Sequence, residues 1–291
     1  GKTKDPTLLR DVIMRLCCPK TKSWARQALI EYGAVAIEAL RESLWDPKIS
    51  RDIRLSIPRT LSKIESPDAM GALLNGLNQE DGSLRYKIIL GLEELSRRFP
   101  NLRVDSHVIE TSIILEARRY YRRFLIFFAL FGDDNDRLMN NGWLLHQTLL
   151  ENMEREKERV LRLLSLIYSP ADIESATAAL QSGNPAKQAQ AIEFLDNLLT
   201  GDVKRYVFPL FDDAPASERF ETFLGLLGRR GFDRVTALQE LLKHDDVWLK
   251  AATIWEIGLR GLRDFQTELR RYLNSTQPVL KETAELVMSR I

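Results

Sequence analysis

Apolar side chains recur along this chain at helical spacing, in blocks that restart about every 31 residues. A basic residue marks the phase of each block. Lys22, Arg54 and Arg85 are spaced 32 and 31 apart, and Lys187, Arg219, Lys250 and Lys281 are spaced 32, 31 and 31 apart. Seven positions after each marker stands an apolar residue: Leu29, Leu61, Leu92, Phe194, Leu226, Ile257 and Met288. Seven residues is two helical turns, so each marker is expected at the start of a helix, above its buried face. The residue before the marker is also apolar at Ile53, Leu84, Leu249 and Leu280.

The interval between markers holds two helices of about 10–15 residues and two short turns. Turn chemistry agrees: Ser66 before Pro67 and Ser169 before Pro170 read as N-caps, and Asp172 completes an S-x-x-D box with Ser169. Further breaks fall at "WDPK", "QEDGS", "SGNP", "HDD" and "STQP". No stretch alternates as a strand would. The expected fold is all-α, an α-α superhelix of stacked antiparallel helix pairs, forming one solenoid over 1–291. Regular repeats occupy about 1–100 and 169–291. Two longer helices, over 106–131 and 138–168, fill an irregular centre at 101–168.

The helix pairs, the period and the acid or proline shortly before each basic marker resemble HEAT repeats of the HEAT/armadillo class. The segment "EREKERVLRLLSLIYSPADIESATAALQSGNPAKQAQAIEFLDNLL", 154–199, is similar to the HEAT region of bacterial membrane proteins that join an ADP/ATP-translocase-like transporter to soluble repeats, some with a cyclic-nucleotide-binding domain. This resemblance implies a non-catalytic scaffold for protein–protein interaction or regulation. It further implies the soluble part of a larger, transporter-linked protein, whose partner is another protein or the membrane-embedded portion of the same polypeptide. It carries neither a transporter bundle nor a phosphate cassette into these residues.

Composition narrows the field further. Charges nearly cancel at +1, so no overall field draws the chain to nucleic acid or anionic lipid. The longest apolar run, Phe124–Phe131, is eight residues, whereas a membrane-spanning helix needs about 20. Cys17 and Cys18 are adjacent, a spacing unsuited to a disulfide framework or zinc site. With no secretory signal in view, the expected setting is cytoplasmic, at the inner face of a membrane if flanking segments anchor it. The initial Gly1 reads as the start of a piece excised from a longer protein.

Candidate chemistry is sparse, and no cofactor or metal is expected. His107, His146 and His244 are solitary, and no His-Glu dyad occurs of the kind carried by HEAT-like metal hydroxylases. No G-x-S-x-G, P-loop or G-x-G-x-x-G appears, and "GLLGRRGFDR" reads as a turn with Gly228 or Gly231 ending a helix. Cys17 and Cys18 read as helix-packing thiols. Trp24, Trp143, Trp248 and Trp255 bring to mind HEAT-like DNA glycosylases, the alternative function; Trp248 and Trp255, seven apart, read instead as core.

A solenoid binds partners mainly on the face lined by the second helix of each pair, here about 35–45, 67–78, 203–212, 233–243 and 263–273. The polar candidates for partner binding are Arg41, Asn75, Asn78, Lys204, Arg234, Lys243, Arg263, Arg270 and Arg271, a mildly basic set suited to an acidic peptide or lipid surface. In "ARRYYRRFLIFFALFG", Arg118, Arg119, Arg122 and Arg123 share an arc of about 140°. Tyr120, Tyr121, Phe124, Phe127, Phe128 and Phe131 lie opposite them. The stretch reads as a central helix with its aromatics in the core and its arginines toward solvent, where they can reach the acids of "ENMEREKE", 151–158.

Overall fold

The computed structural model describes residues 5–132 and 143–290. Among them every regular element is helical. In chain order these are α1 (Leu9–Met14), α2 (Lys22–Tyr32), α3 (Ala34–Trp45), α4 (Arg51–Arg54), α5 (Ile57–Leu61), α6 (Pro67–Gly76), α7 (Gly82–Arg98), α8 (Ser106–Phe131) and α9 (Trp143–Leu164). Then follow α10 (Pro170–Leu180), α11 (Pro185–Leu198), α12 (Gly201–Val207), α13 (Ala216–Leu227), α14 (Arg234–Lys243), α15 (Val247–Leu259), α16 (Gln266–Arg270) and α17 (Pro278–Met288). No described helix is long and apolar enough to cross a membrane.

The chain forms two compact units, Gly1–Ile113 with Arg159–Leu195, and Ile114–Glu158 with Asp196–Ile291. The division falls inside α8, α9 and α11. α8 and α9 are the two long helices expected over 106–131 and 138–168. α8 has the bounds read from the sequence, and α9 ends at Leu164, with the acidic turn after Gly132 and the first residues of the expected second helix outside the described residues.

Five of the seven basic markers share one helical position, and in two of these helices an acid four residues earlier caps the first turn; Lys22 is instead the first residue of α2 and Lys187 the third of α11. Arg85, Arg219, Lys250 and Lys281 are each the fourth residue of their helix, and Arg54 the fourth of α4. The position four earlier is the N-cap. Asp81 Oδ1 accepts from the backbone N–H groups of Ser83 and Leu84 at 2.9 and 3.2 Å. Asp246 Oδ1 accepts from Trp248 and Leu249 at 2.9 and 3.1 Å. Each satisfies donors that the first turn leaves without helical partners. Arg85 folds back over this turn, donating from Nη1 to the carbonyls of Gln79 and Glu80 at 2.6 and 2.7 Å. Ser66 caps α6 and Ser169 caps α10, as read from the sequence. At α14 a full capping box joins Asp233 and Thr236.

The first unit buries Leu29, Leu40, Leu44, Ile53, Ile57, Leu61 and Leu73 completely, each contributing about 1.5–3 kcal/mol. α7 packs on α5 and α6, and α3 on α6. Gly91 permits the first contact: a Cβ there would stand 3.1 Å from the Pro58 carbonyl and 3.3 Å from Leu73. One expected helix is broken in two. α4 stops at Arg54 and α5 starts at Ile57, because Pro58 has no N–H to give the carbonyl one turn back.

In the second unit, α15 packs against α14 and α17, and α17 also against α16. Ile254, Ile257, Phe265, Leu269, Ala284 and Val287 form a continuous core with Leu238 and Leu241. The expected helix at 263–273 is a short α16 between two 3-10 turns. It is tied to α14 by Tyr272 Oη, which donates to the Leu242 carbonyl at 2.8 Å.

Candidate functional site

The arginine–tyrosine stretch of α8 is an interior constellation of the second unit. Tyr121 stacks on Phe223 with ring centroids 4.3 Å apart, and Phe124 meets Phe223 edge-on at 4.9 Å. Arg219, the marker of α13, lies over Phe124 at 4.7 Å and donates to Tyr120 Oη at 2.7 Å. Tyr121 donates to the Tyr206 carbonyl. Burial pushes both phenols above their usual value, opposed at Tyr120 by the Arg219 charge. They remain protonated at neutral pH and serve as hydrogen-bonding groups rather than proton shuttles.

The arginines do not share one environment. Arg123 is buried: Nε and Nη2 donate to Glu156 Oε1 at 3.0 and 2.9 Å, and Nη2 lies 3.1 Å from His244 Nε2. This is the contact with 151–158 that the helix phase allowed, and it takes Arg123 away from the solvent side expected of it. Arg122 pairs with Glu240, Arg119 with Glu116 at 3.0 Å, and Arg118 lies over the Tyr206 ring at 5.9 Å. The basic appearance of the stretch is thus largely absorbed inside its own unit.

The nine polar candidates are distributed over both units. Arg41, Asn75 and Asn78 are exposed on or just after α3 and α6 of the first unit. Arg234, Arg263, Arg270 and Arg271 are exposed in the second. Three cations are engaged locally: Arg41 with Glu38 at 2.6 Å, Lys204 with Asp196 at 2.9 Å, and Lys243 with Glu240 at 3.0 Å. Exposed pairs of this kind contribute about 0–1 kcal/mol and leave the side chains available to compete for another anion.

Trp248, read as core, is 69% exposed, and Trp24 is 79% exposed. Trp255 is half-buried with Arg290 over its ring at 5.1 Å; the Trp143 side chain lies outside the described residues. Cys17 is exposed and Cys18 half-buried, both as free thiols, at and just after the 3-10 turn Arg15–Cys17. Burial holds the half-buried His146 imidazole below its usual value, between Phe127 and Phe131 at 5.0 and 5.2 Å. No group of three His, Cys, Asp or Glu among the described residues is placed to hold a metal ion.

The feature that sequence reasoning missed is a groove along the α10–α11 pair. It measures about 490 Å³ and is lined by Asp172, Ser175, Ala176, Ala179 and Ser182 from one side and by Lys187, Gln190, Ala191 and Phe194 from the other. Phe194 occupies the position seven after its marker, which is completely buried at Leu29, Leu61, Leu92 and Ile257 and partly buried at Leu226 and Met288; Phe194 is the most open of these, at 38% exposed. The turn at 181–184 is short, so the helices run antiparallel, with Asp172 at the Phe194 end and Lys187 at the Ser182 end. The signal available in the sequence was the run of small residues "SATAALQS", which leaves helix α10 with only Ile173 and Ala176 buried. No protein-family model and no curated protein matches this chain.

Proposed function

We propose that the chain is a non-catalytic interaction module, an α-α superhelix of HEAT type, that holds a short apolar segment of a protein partner in the α10–α11 groove. The observation that carries this is Phe194: a residue in core phase, left open on a groove instead of covered. The repeat phase supports the superhelix, since five of the seven markers, in both units, fall at the fourth helical position and four of these follow a buried apolar residue. The groove volume lies within the range of about 300–1,000 Å³ usual for ligand sites. Its alanine floor lets a backbone approach closely, and Phe194 supplies an aromatic contact of the kind that anchors interfaces. Charges at its two ends set an orientation: a base on the segment toward Asp172 and an acid toward Lys187.

The test uses a displayed library of short peptides selected on the whole chain. Selected peptides should carry an apolar centre with a basic and an acidic flank. They should lose at least tenfold in affinity to Ala179→Trp, which fills the groove, with the thermal midpoint unchanged. Equal binding to the wild type and to Ala179→Trp would remove the groove as the site.

A further inference from the structure

Independently of that groove, the turn between α1 and α2 in the first unit carries a basic, aromatic patch. Between Asp11 and Glu31 the chain holds Arg15, Lys20, Lys22 and Arg26 and no acid, a local excess of four charges in a protein whose total is +1. Hydrogen bonds close this segment on itself. The Cys18 carbonyl accepts from the Thr21 and Lys22 N–H groups at 3.0 and 2.8 Å, and Thr21 Oγ1 donates to the Arg15 carbonyl at 3.0 Å. The backbone at Arg15 is thereby fixed beside the start of α2. In the first turn of α2 stands Trp24, the most exposed large apolar side chain among the described residues; Met14 and Cys17, before the turn, are exposed as well. Arg15 and Lys20 are exposed, Lys22 and Arg26 half-buried, and none of the four is paired with an acid among the described residues. Arg41, Arg51 and Arg97 of the same unit each hold a carboxylate instead.

We propose that this patch docks on an anionic lipid bilayer, with Trp24 and Met14 entering the headgroup region and the bases meeting the lipid phosphates. An indole is favoured at the membrane–water interface because its ring is apolar while its N–H still finds polar partners there. Each lysine or arginine near an anionic leaflet adds attraction, and a local cluster supplies it even where the charge of the whole chain does not. Single-stranded nucleic acid, another polyanion that takes up aromatic rings, is held on successive rings along a basic track. This segment has one ring. Its other exposed apolar groups, Met14 and Cys17, give a base nothing to stack on but suit the edge of the acyl chains. Trp248, the comparably exposed indole of the second unit, follows Asp245 and Asp246 and lacks these basic surroundings.

Sedimentation of the whole chain with vesicles of phosphatidylcholine, alone or mixed with phosphatidylglycerol, tests this. The mixed vesicles should capture the chain, phosphatidylcholine alone should not, and added salt should weaken the capture. Lys20→Gln combined with Lys22→Gln should lower vesicle affinity about tenfold or more, and Trp24→Ala should lower it severalfold, both at the wild-type thermal midpoint. Trp248→Ala should bind as the wild type does. Mixed vesicles with brominated acyl chains should quench part of the wild-type tryptophan fluorescence, and that part should vanish in Trp24→Phe. The proposal is overturned if the mixed vesicles capture nothing, if they capture the wild type and both patch variants equally, or if Trp248→Ala loses as much as Trp24→Ala. Binding of a single-stranded oligonucleotide without capture by vesicles overturns it in favour of nucleic acid.

Discussion

Helices α11 and α15 start in the same way and come to different ends. Each carries a basic marker in its first turn, Lys187 and Lys250, and an apolar residue seven positions later, Phe194 and Ile257. Each opens on a short polar cap, for Asn184 Oδ1 accepts from Ala186 and Lys187 at 3.0 and 3.2 Å much as Asp246 serves α15. Yet α15 buries Leu249, Ala251, Ala252, Thr253, Ile254, Glu256 and Ile257, while α11 buries Ala191 and Leu195. Phase decides which way a side chain points. Whether anything lies there depends on what else the fold brings to that side, and the apolar stripe of α11 is left as a groove.

The contrast can be pressed by substitution, beginning with the buried member. Ile257→Ala should cost about 2–5 kcal/mol in denaturant unfolding, because it empties a completely enclosed position. A loss under about 1 kcal/mol would mean that the α15 core is looser than its burial implies. Gly258→Ala comes next. A Cβ there would stand 2.6 Å from Val287 Cγ2, so overpacking should outweigh the gain in helix propensity, by about 1–3 kcal/mol. The thermal midpoint reads this directly.

Asp81→Asn gives α7 the neutral kind of cap that α11 already has, retaining the capping oxygen and removing the charge. Burial raises the Asp81 carboxyl, but Arg51, which pairs with it at 2.5 Å, and the Ser83 and Leu84 N–H groups outweigh that and hold it below its usual value. A depressed folded value means the stabilisation is present above the unfolded value near pH 4 and is lost as pH falls through the folded one. The substitution should therefore cost under about 1 kcal/mol at neutral pH, after solvent screening, and flatten the loss of stability below pH 4. Equilibrium unfolding across that range measures it. Phe194→Ala should have the smallest effect on stability, no more than about 1 kcal/mol, while lowering the affinity of groove-selected peptides. A loss as large as that of Ile257→Ala would erase the comparison.

Much of the architecture was readable in advance, for reasons tied to particular residues. A helix needs its first-turn donors satisfied and one apolar face, and both requirements are local. Ser66 and Ser169 therefore identify helix starts, and of the two glycines that could end α13, Gly228 and Gly231, it is Gly228 that adopts αL at its end. Pro58 was the local signal that went unused: it splits α4 from α5 for a reason visible in the chain. The candidate surface was far less legible. Nothing in the spacing of Trp248 and Trp255 separates them, and they share a row with Ala252 and Leu259. That row is buried in its middle and exposed at both ends, because the neighbours of α15 cover the centre.

Periodicity and capping along the chain thus determine the helices, their phase and the all-helical class, since each rests on hydrogen bonds and apolar contacts within a few turns. Tertiary structure decided the fate of each outward-facing residue. It drew Arg123 inward because α9 and the end of α14 bring Glu156 and His244 to it. It left Phe194 open on its groove although the spacing marks it for the core. Burial and charge pairing depend on neighbours distant in sequence, and a local pattern carries no record of which neighbours arrive.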